Sequence, residues 1–354
     1  MHHCRTDRCS TSNDPYYPQQ WALQKINAPE AWKTTTGSDD VIVAIAGVGI
    51  DVTHKDLAAN IWTNTKEIPG NGKDDDGNGY IDDIHGWNGY TNDNGITTGG
   101  FVNSTRLASV IGAVGNNGLG VTGLNWRVKM MLVSSFSDKV NFYTSAGLIG
   151  SLDYILNVRK TGTNVRAVYL QQYVNTIGPF AEGDSIRALS DAGVLVVESA
   201  SEGDVNLDVT PLPLQKLGLT NKMIVGASDA DDNRRAGSGY GQKTVDIFAP
   251  GRNLLTTNLG SDTAITNPLV APARQRPMSW ARQPCCGQLS QASPPARSSR
   301  ASSTRPLASK SCVPMCAMVA ASASVRSSLT PFIPSGAPSP AQLKDKAATF
   351  LWQA

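Results

Sequence analysis

Five short, almost uninterrupted apolar runs, spaced by stretches of helical length, constrain this chain more than any other feature. They fall at 41–46, 129–133, 165–170, 194–197 and 223–227, each bounded by polar residues. A strand with one wet face alternates apolar and polar residues, whereas a strand covered on both faces reads as a continuous apolar run. Between these runs, 107–114, 144–158 and 181–191 carry the spacing and length of helices. Strand, helix and strand in series predict an α/β fold: a parallel β-sheet flanked by helices. The Gly-, Asn- and Asp-rich stretches 70–79 and 91–100 are expected to be loops.

That pattern stops near residue 262. Up to there the chain holds 21 Lys and Arg against 28 Asp and Glu, a balance of −7. Residues 263–354 hold 10 basic residues against Asp345 alone, a balance of +9, so the overall charge of +2 conceals two unlike halves. Beyond 262 the sequence is rich in Ala, Ser, Pro and Arg, without usable periodicity. A basic tail suits nucleic acid or an acidic membrane surface when its charges cluster. This tail lacks heptads, dense Lys/Arg clusters and interleaved aromatics, so neither nucleic acid nor membrane is expected as a partner. Cys4 and Cys9 near the start and Cys285, Cys286, Cys312 and Cys316 in the tail have no partner ligands at useful spacing, which argues against a disulfide framework or a zinc site. The first residues contain no apolar run resembling a signal peptide, and 41–48 is far too short to span a bilayer.

A series of motifs carries a family likeness. In order they are N-D-P-Y-Y at 13–17, K-I-N-A-P-E-A-W at 25–32 and V-I-V-A-I-A at 41–46. G-I-D-V-T-H-K-D-L follows at 49–57, and D-D-D-G-N-G-Y-I-D-D at 74–83. The last two are G-N-N-G-L-G-V-T-G at 115–123 and V-D-I-F-A-P-G at 245–251. Together they resemble the subtilisin-like serine proteases, especially the thermitase-like ones, over residues 13 to about 257. The resemblance implies an N-terminal tail at 1–12, an incomplete subtilisin-like peptidase domain at 13–260, and an aberrant C-terminal segment at 261–354.

Proteolysis of this kind needs an attacking hydroxyl, an imidazole to take its proton, a carboxylate to orient the imidazole, and an oxyanion donor. The family carboxylate sits in a motif like D-T-G-I-D, and here that run is Gly47-Val48-Gly49-Ile50-Asp51. The family imidazole sits in a motif like H-G-T-H-V-A-G, and here the run is Asn103-Ser104-Thr105-Arg106-Leu107-Ala108-Ser109. Gly47 and Asn103 therefore occupy the Asp and His positions, and an amide is no base near neutral pH. The oxyanion Asn of A-A-A-G-N is replaced by Glu202, an anion where negative charge must develop. The substrate strand resembling N-N-S-W-G is altered to 170–174, L-Q-Q-Y-V. His54 and His85 fall in family loops away from catalysis. A G-T-S-M-A-T-P-H motif, source of the nucleophilic Ser, is absent.

With permitted codons, residues 272–287 read from the last base of their first codon yield G-T-S-T-P-H-V-V-G-A-A-A-L-L-W, like the family's serine motif and following helix. The same offset gives G-G-R-I-S-V-R from 319–326 and an A-V-V-Q-G-I-L-H-T-S-like segment from 297–309. A frameshift accounts for the missing carboxylates and sudden cysteines of the tail, though not for Gly47, Asn103 or Glu202.

Calcium chemistry survives better. Asp74, Asp76 and Asn78, the carbonyl of Tyr80, and Asp82 follow a D-x-D-x-N-G pattern whose alternate oxygens suit one hard cation, with Gly79 at the bend. The twelfth position is His85 rather than Glu, which points to modest affinity. The resemblance implies a second calcium site at Asp14, Asp56 and Asn117 with the carbonyls of Gly115, Leu119 and Val121. The sequence thus predicts an inactive subtilisin-like homologue, monomeric, with structural Ca2+ and at most peptide or protein substrate-like ligands. The alternatives are an active secreted-type endopeptidase and a non-catalytic peptide-binding pseudoprotease.

Overall fold

The computed structural model describes residues 11–47, 49–96, 103–137, 142–170, 181–201 and 203–257. The expected tail features, residues 171–180 and Glu202 lie outside that set.

The sheet is organised around β1, Gly37–Gly47, whose sequence turns from G-S-D-D to V-I-V-A-I-A-G. Its polar half is partly exposed, and from Ile42 to Gly47 every residue is buried. Side chains alternate between faces along a strand. Val43 and Ile45 accordingly enter one core, while Ile42, Ala44 and Ala46 enter the other. Small alanines on the second face let the covering helix approach closely.

β1 pairs in parallel with β3, Arg127–Ser134, on one side and with β6, Val165–Leu170, on the other. β2, Gly86–Asn88, lies beyond β3. On the opposite side follow β7, Leu195–Ser199, β8, Lys222–Ser228, and β9, Ile247–Pro250. The strand order is β2-β3-β1-β6-β7-β8-β9. A small antiparallel pair, β4 at Phe136–Ser137 and β5 at Phe142–Tyr143, stands apart. At Gly86 a Cβ would sit 1.7 Å from the Leu132 carbonyl oxygen, so only glycine lets β2 approach β3 so closely.

Helices cover both faces. On the Val43 face lie α1, Trp21–Lys25, α2, Ala28–Trp32, and α3, Asn103–Gly112. Trp32 anchors this layer: its ring meets Tyr17 at 5.7 Å and Trp126 at 5.0 Å, and its indole N–H donates to the Leu124 carbonyl at 2.8 Å. The other face is covered by α4, Ser145–Lys160, α5, Gly183–Asp191, and α6, Pro213–Lys216. α4 begins where Thr144 turns extended and its hydroxyl accepts from the Gly147 N–H at 2.9 Å. Arg159 and Lys160 close its last turn, favourably placed against the helix dipole. Among the described residues, no helix is long and apolar enough to cross a membrane.

Within β7 a carboxyl interrupts the apolar core. Glu198 of β7 stands between Leu170 of β6 and Ile224 of β8, is 2% exposed, and leaves Oε2 without a hydrogen-bond partner. Burial pushes its carboxyl up to about 8, with Lys222 pulling the other way. The folded protein therefore holds this proton more tightly than the unfolded chain. Its contribution to stability is complete below the ordinary value of 4.5 and is lost as pH rises through about 8. Urea unfolding at pH 5 and pH 8.5 is expected to show stability falling with pH. Glu198→Gln should remove on the order of 3 kcal/mol of that fall.

Candidate functional site

In an open parallel sheet, ligands bind outside the carboxyl ends of the strands where the chain changes direction. Here β1 is that point, since β2 and β3 extend to one side of it and β6 to β9 to the other. The strand ends at Gly47, in register with Ser134 of β3, and Ala46 is in register with Leu170 of β6. From Ala46 to Ile50 the sequence at this end of β1 carries no carboxylate. Four residues past Gly47, Asp51 is engaged locally: its Oδ1 accepts from the backbone N–H and hydroxyl of Thr53 at 3.0 and 2.7 Å. The Asp51 N–H donates to the Thr105 hydroxyl at 3.2 Å, joining this loop to α3.

α3 opens on Asn103, the position expected for an imidazole. Ser104, Thr105, Arg106 and Ser109 are all buried along it. Burial lowers the pKa of the Arg106 guanidinium. The Ser109 hydroxyl donates to the Arg106 carbonyl at 2.7 Å and accepts from the Thr257 N–H at 3.2 Å, tying α3 to the last described turn. The two described histidines have other attachments. Buried His54 accepts the Asp56 N–H on Nδ1 at 3.2 Å, and His85 Nδ1 is 3.0 Å from the Trp62 carbonyl.

Of the N-terminal set expected around calcium, the side chains of Asp14, Asp56 and Asn117 come together. Asp14 Oδ1 accepts from the N–H groups of Asn117 and Gly118 at 2.9 and 3.0 Å, and its Oδ2 from Asn116 at 2.8 Å. Asp56 Oδ1 accepts from the Asn117 side-chain amide at 2.9 Å and Oδ2 from the Val121 N–H at 3.0 Å. The Leu119 N–H donates to Asn117 Oδ1 at 2.8 Å, so the loop wraps both carboxylates. Gly120, at φ +42°, leaves a gap that a Cβ would close to 2.4 Å from Asp56 Oδ2. Burial pushes Asp56 up to about 6 against the donors Asn117 and Val121, and the nearby Asp14 charge adds to the rise. Two buried carboxylates that repel one another, Asp14 and Asp56, are thus held together by N–H donors of the 116–121 loop.

The acidic loop divides differently from the expected set. Carboxylate oxygens of Asp74, Asp76 and Glu67 lie within 4.8 Å of one another, close enough to share one metal ion. Asp82 takes no part in that cluster: its oxygens accept from the N–H groups of Gly70, Asn71 and Gly72 at 2.8 to 3.2 Å. Asn78 Oδ1 accepts from the Tyr80 N–H at 2.8 Å. Glu67, absent from the expected set, receives the N–H groups of Asp75 and Asp76 on Oε1 at 2.8 and 3.1 Å, and that of Asp82 on Oε2 at 3.1 Å. Its one sequence signal is position: it is the sole acidic residue between Asp56 and Asp74, ahead of a Pro-Gly-Asn-Gly turn that folds back. The all-oxygen donor set matches Ca2+ rather than zinc.

The profile described as "Subtilase family" matches residues 38–280. The chain belongs to the subtilase family. This is a family of serine endopeptidases, and the parallel sheet has its fold. Subtilisin-like protease 1 of Plasmodium berghei (strain Anka) is 31% identical over 196 residues, covering 53% of this chain and 31% of that protein. Thermitase of Thermoactinomyces vulgaris is 26% identical over 248 residues, 70% of this chain and 76% of that one. A protease from Pseudoalteromonas arctica PAMC 21717 shares the fold at a TM-score of 0.50 and 22% identity, over 72% and 79% of the two chains. The chain spans about a third of the length of the Plasmodium proteins it matches.

Proposed function

We propose that this subtilase chain is a degenerate homologue that does not hydrolyse peptide bonds and that keeps its calcium loops as structural elements. Glycine at the end of β1 carries the reading. At the position where a family member orients its imidazole, Gly47 offers no side chain at all. Asn103, first in α3, has an amide that takes no proton near neutral pH. Glu202, at the oxyanion position, brings the wrong charge. In subtilisin, removing the nucleophile or base costs about a millionfold in kcat, and removing one oxyanion donor costs about a hundred- to a thousandfold. The losses are not additive, yet each is large against ordinary turnover.

We read the segment beyond 260 as a frameshifted copy of the family's C-terminal part, which would leave the chain without its nucleophile. Restoring only the other two groups should then achieve nothing. The chain and the double variant Gly47→Asp, Asn103→His are both expected to remain unlabelled by a fluorophosphonate serine probe. Labelling of either at a single serine would refute this reading.

The calcium part rests on the paired carboxylates of Asp14 and Asp56, which Asn117 bridges, and on the carboxylate cluster of Glu67, Asp74 and Asp76. Bound calcium would offset carboxylate repulsion in both and stabilise the folded state by mass action. At a hundredfold excess over Kd a single site contributes about 2.7 kcal/mol. Adding EDTA is therefore expected to lower the thermal midpoint by roughly 5 to 10 °C in a domain of this size. An unchanged midpoint would argue against both sites.

A further inference from the structure

One buried carboxylate joins the acidic loop to the core while standing outside the donor cluster. Asp83 is 0% exposed. Its Oδ1 accepts from the Asn64 side-chain amide at 2.8 Å. Its Oδ2 accepts from the Asn78 amide at 3.0 Å and from the Tyr154 hydroxyl at 2.7 Å. The same Asn64 Nδ2 donates to Asp76 Oδ2 at 3.2 Å. A continuous path therefore runs from Asp76 of the cluster through Asn64 and Asp83 to Tyr154 of α4.

Packing reinforces this path. Tyr154 is fully buried, with the Tyr80 ring edge-on at 4.8 Å and Trp87 stacked at 6.2 Å. Tyr80 and Trp87 meet at 4.9 Å, and the Tyr80 hydroxyl accepts from the Asn157 amide of α4 at 3.1 Å. Two loop residues, Asp83 and Tyr80, are thus seated on one helix. Losing a group that orients a metal ligand from behind typically costs about ten- to a hundredfold in affinity. A carboxylate buried this deeply is costly without donors, and two of its three, the amides of Asn64 and Asn78, belong to the loop, that of Asn64 also reaching Asp76.

We propose that Asp83 and Tyr154 are positioning residues for a Ca2+ ion in the Glu67–Asp74–Asp76 cluster, so that filling the loop and seating α4 are one coupled equilibrium. The proposal rests on the calcium reading above. Coupling of this kind is reciprocal: whatever the helix does for the ion, the ion does for the helix.

Calorimetric titration of the full chain with CaCl2 separates the two claims. Glu67→Gln is expected to abolish one binding event and so identify the loop site. Tyr154→Phe and the near-isosteric Asp83→Asn should each weaken that same event by about ten- to a hundredfold and leave the other unchanged. Amide hydrogen exchange across 145–160 should slow on adding calcium in the parent and respond much less in Tyr154→Phe. A merely structural tyrosine would change exchange with and without calcium alike. If Glu67→Gln removes an event that Tyr154→Phe and Asp83→Asn leave intact, the coupling is refuted and the calcium site stands. If the parent binds no calcium, or Glu67→Gln changes nothing, both fall together.

Discussion

Burial of β1 on both faces is the constraint from which the rest of the structure follows. A strand that contributes Val43 and Ile45 to one core and Ile42, Ala44 and Ala46 to the other must have helices above and below it. With β3 on one side and β6 on the other, it becomes the place where the sheet grows in two directions. The geometry that would concentrate chemistry at its carboxyl end is present. The residue at that end is Gly47, buried and in register with Ser134 of β3. Scaffold and chemistry are separable here, because a sheet is stabilised by burial while catalysis depends on a few side chains at its rim.

The acidic loops are held by hydrogen bonds of their own. Asp14 and Asp56 are buried where unpaired carboxylates would be costly, and backbone N–H groups from 116 to 121 surround them. The acidic loop repeats the arrangement: Glu67 and Asp82 each organise a backbone turn, while Asp83 reaches the aromatic cluster beneath. These carboxylates shape the loops even before a cation is considered. Their loss would unfold local structure, whereas loss of a catalytic group would not. Folding and catalysis thus place unequal demands on the two kinds of acidic residue.

Much of the scaffold was legible because continuous apolar runs and helical spacing are strong signals. The expected strand at 165–170 is β6, and the expected helix at 144–158 is α4, shifted by one residue because Thr144 serves as its cap. The helix expected at 107–114 instead starts at Asn103, since its first turn, Asn-Ser-Thr-Arg, carries no apolar mark. β1 runs four residues further back than its apolar run, because Gly37, ahead of the polar Ser-Asp-Asp, still pairs with Arg127 through a register shift. The short α1 and α2 have too few residues to show a period. At the acidic loop, spacing grouped Asp82 with Asp74 and Asp76, whose carboxylates lie together in the fold. Tertiary folding turns Asp82 onto the 70–72 turn and brings in Glu67 instead, a choice that local sequence does not encode.

Hydrolysis of casein by the purified full-length chain tests the central claim most directly, with a serine-directed phosphonate as the control. We expect no cleavage above buffer at any calcium concentration. Cleavage that the phosphonate abolishes would contradict an inactive rim on an intact scaffold.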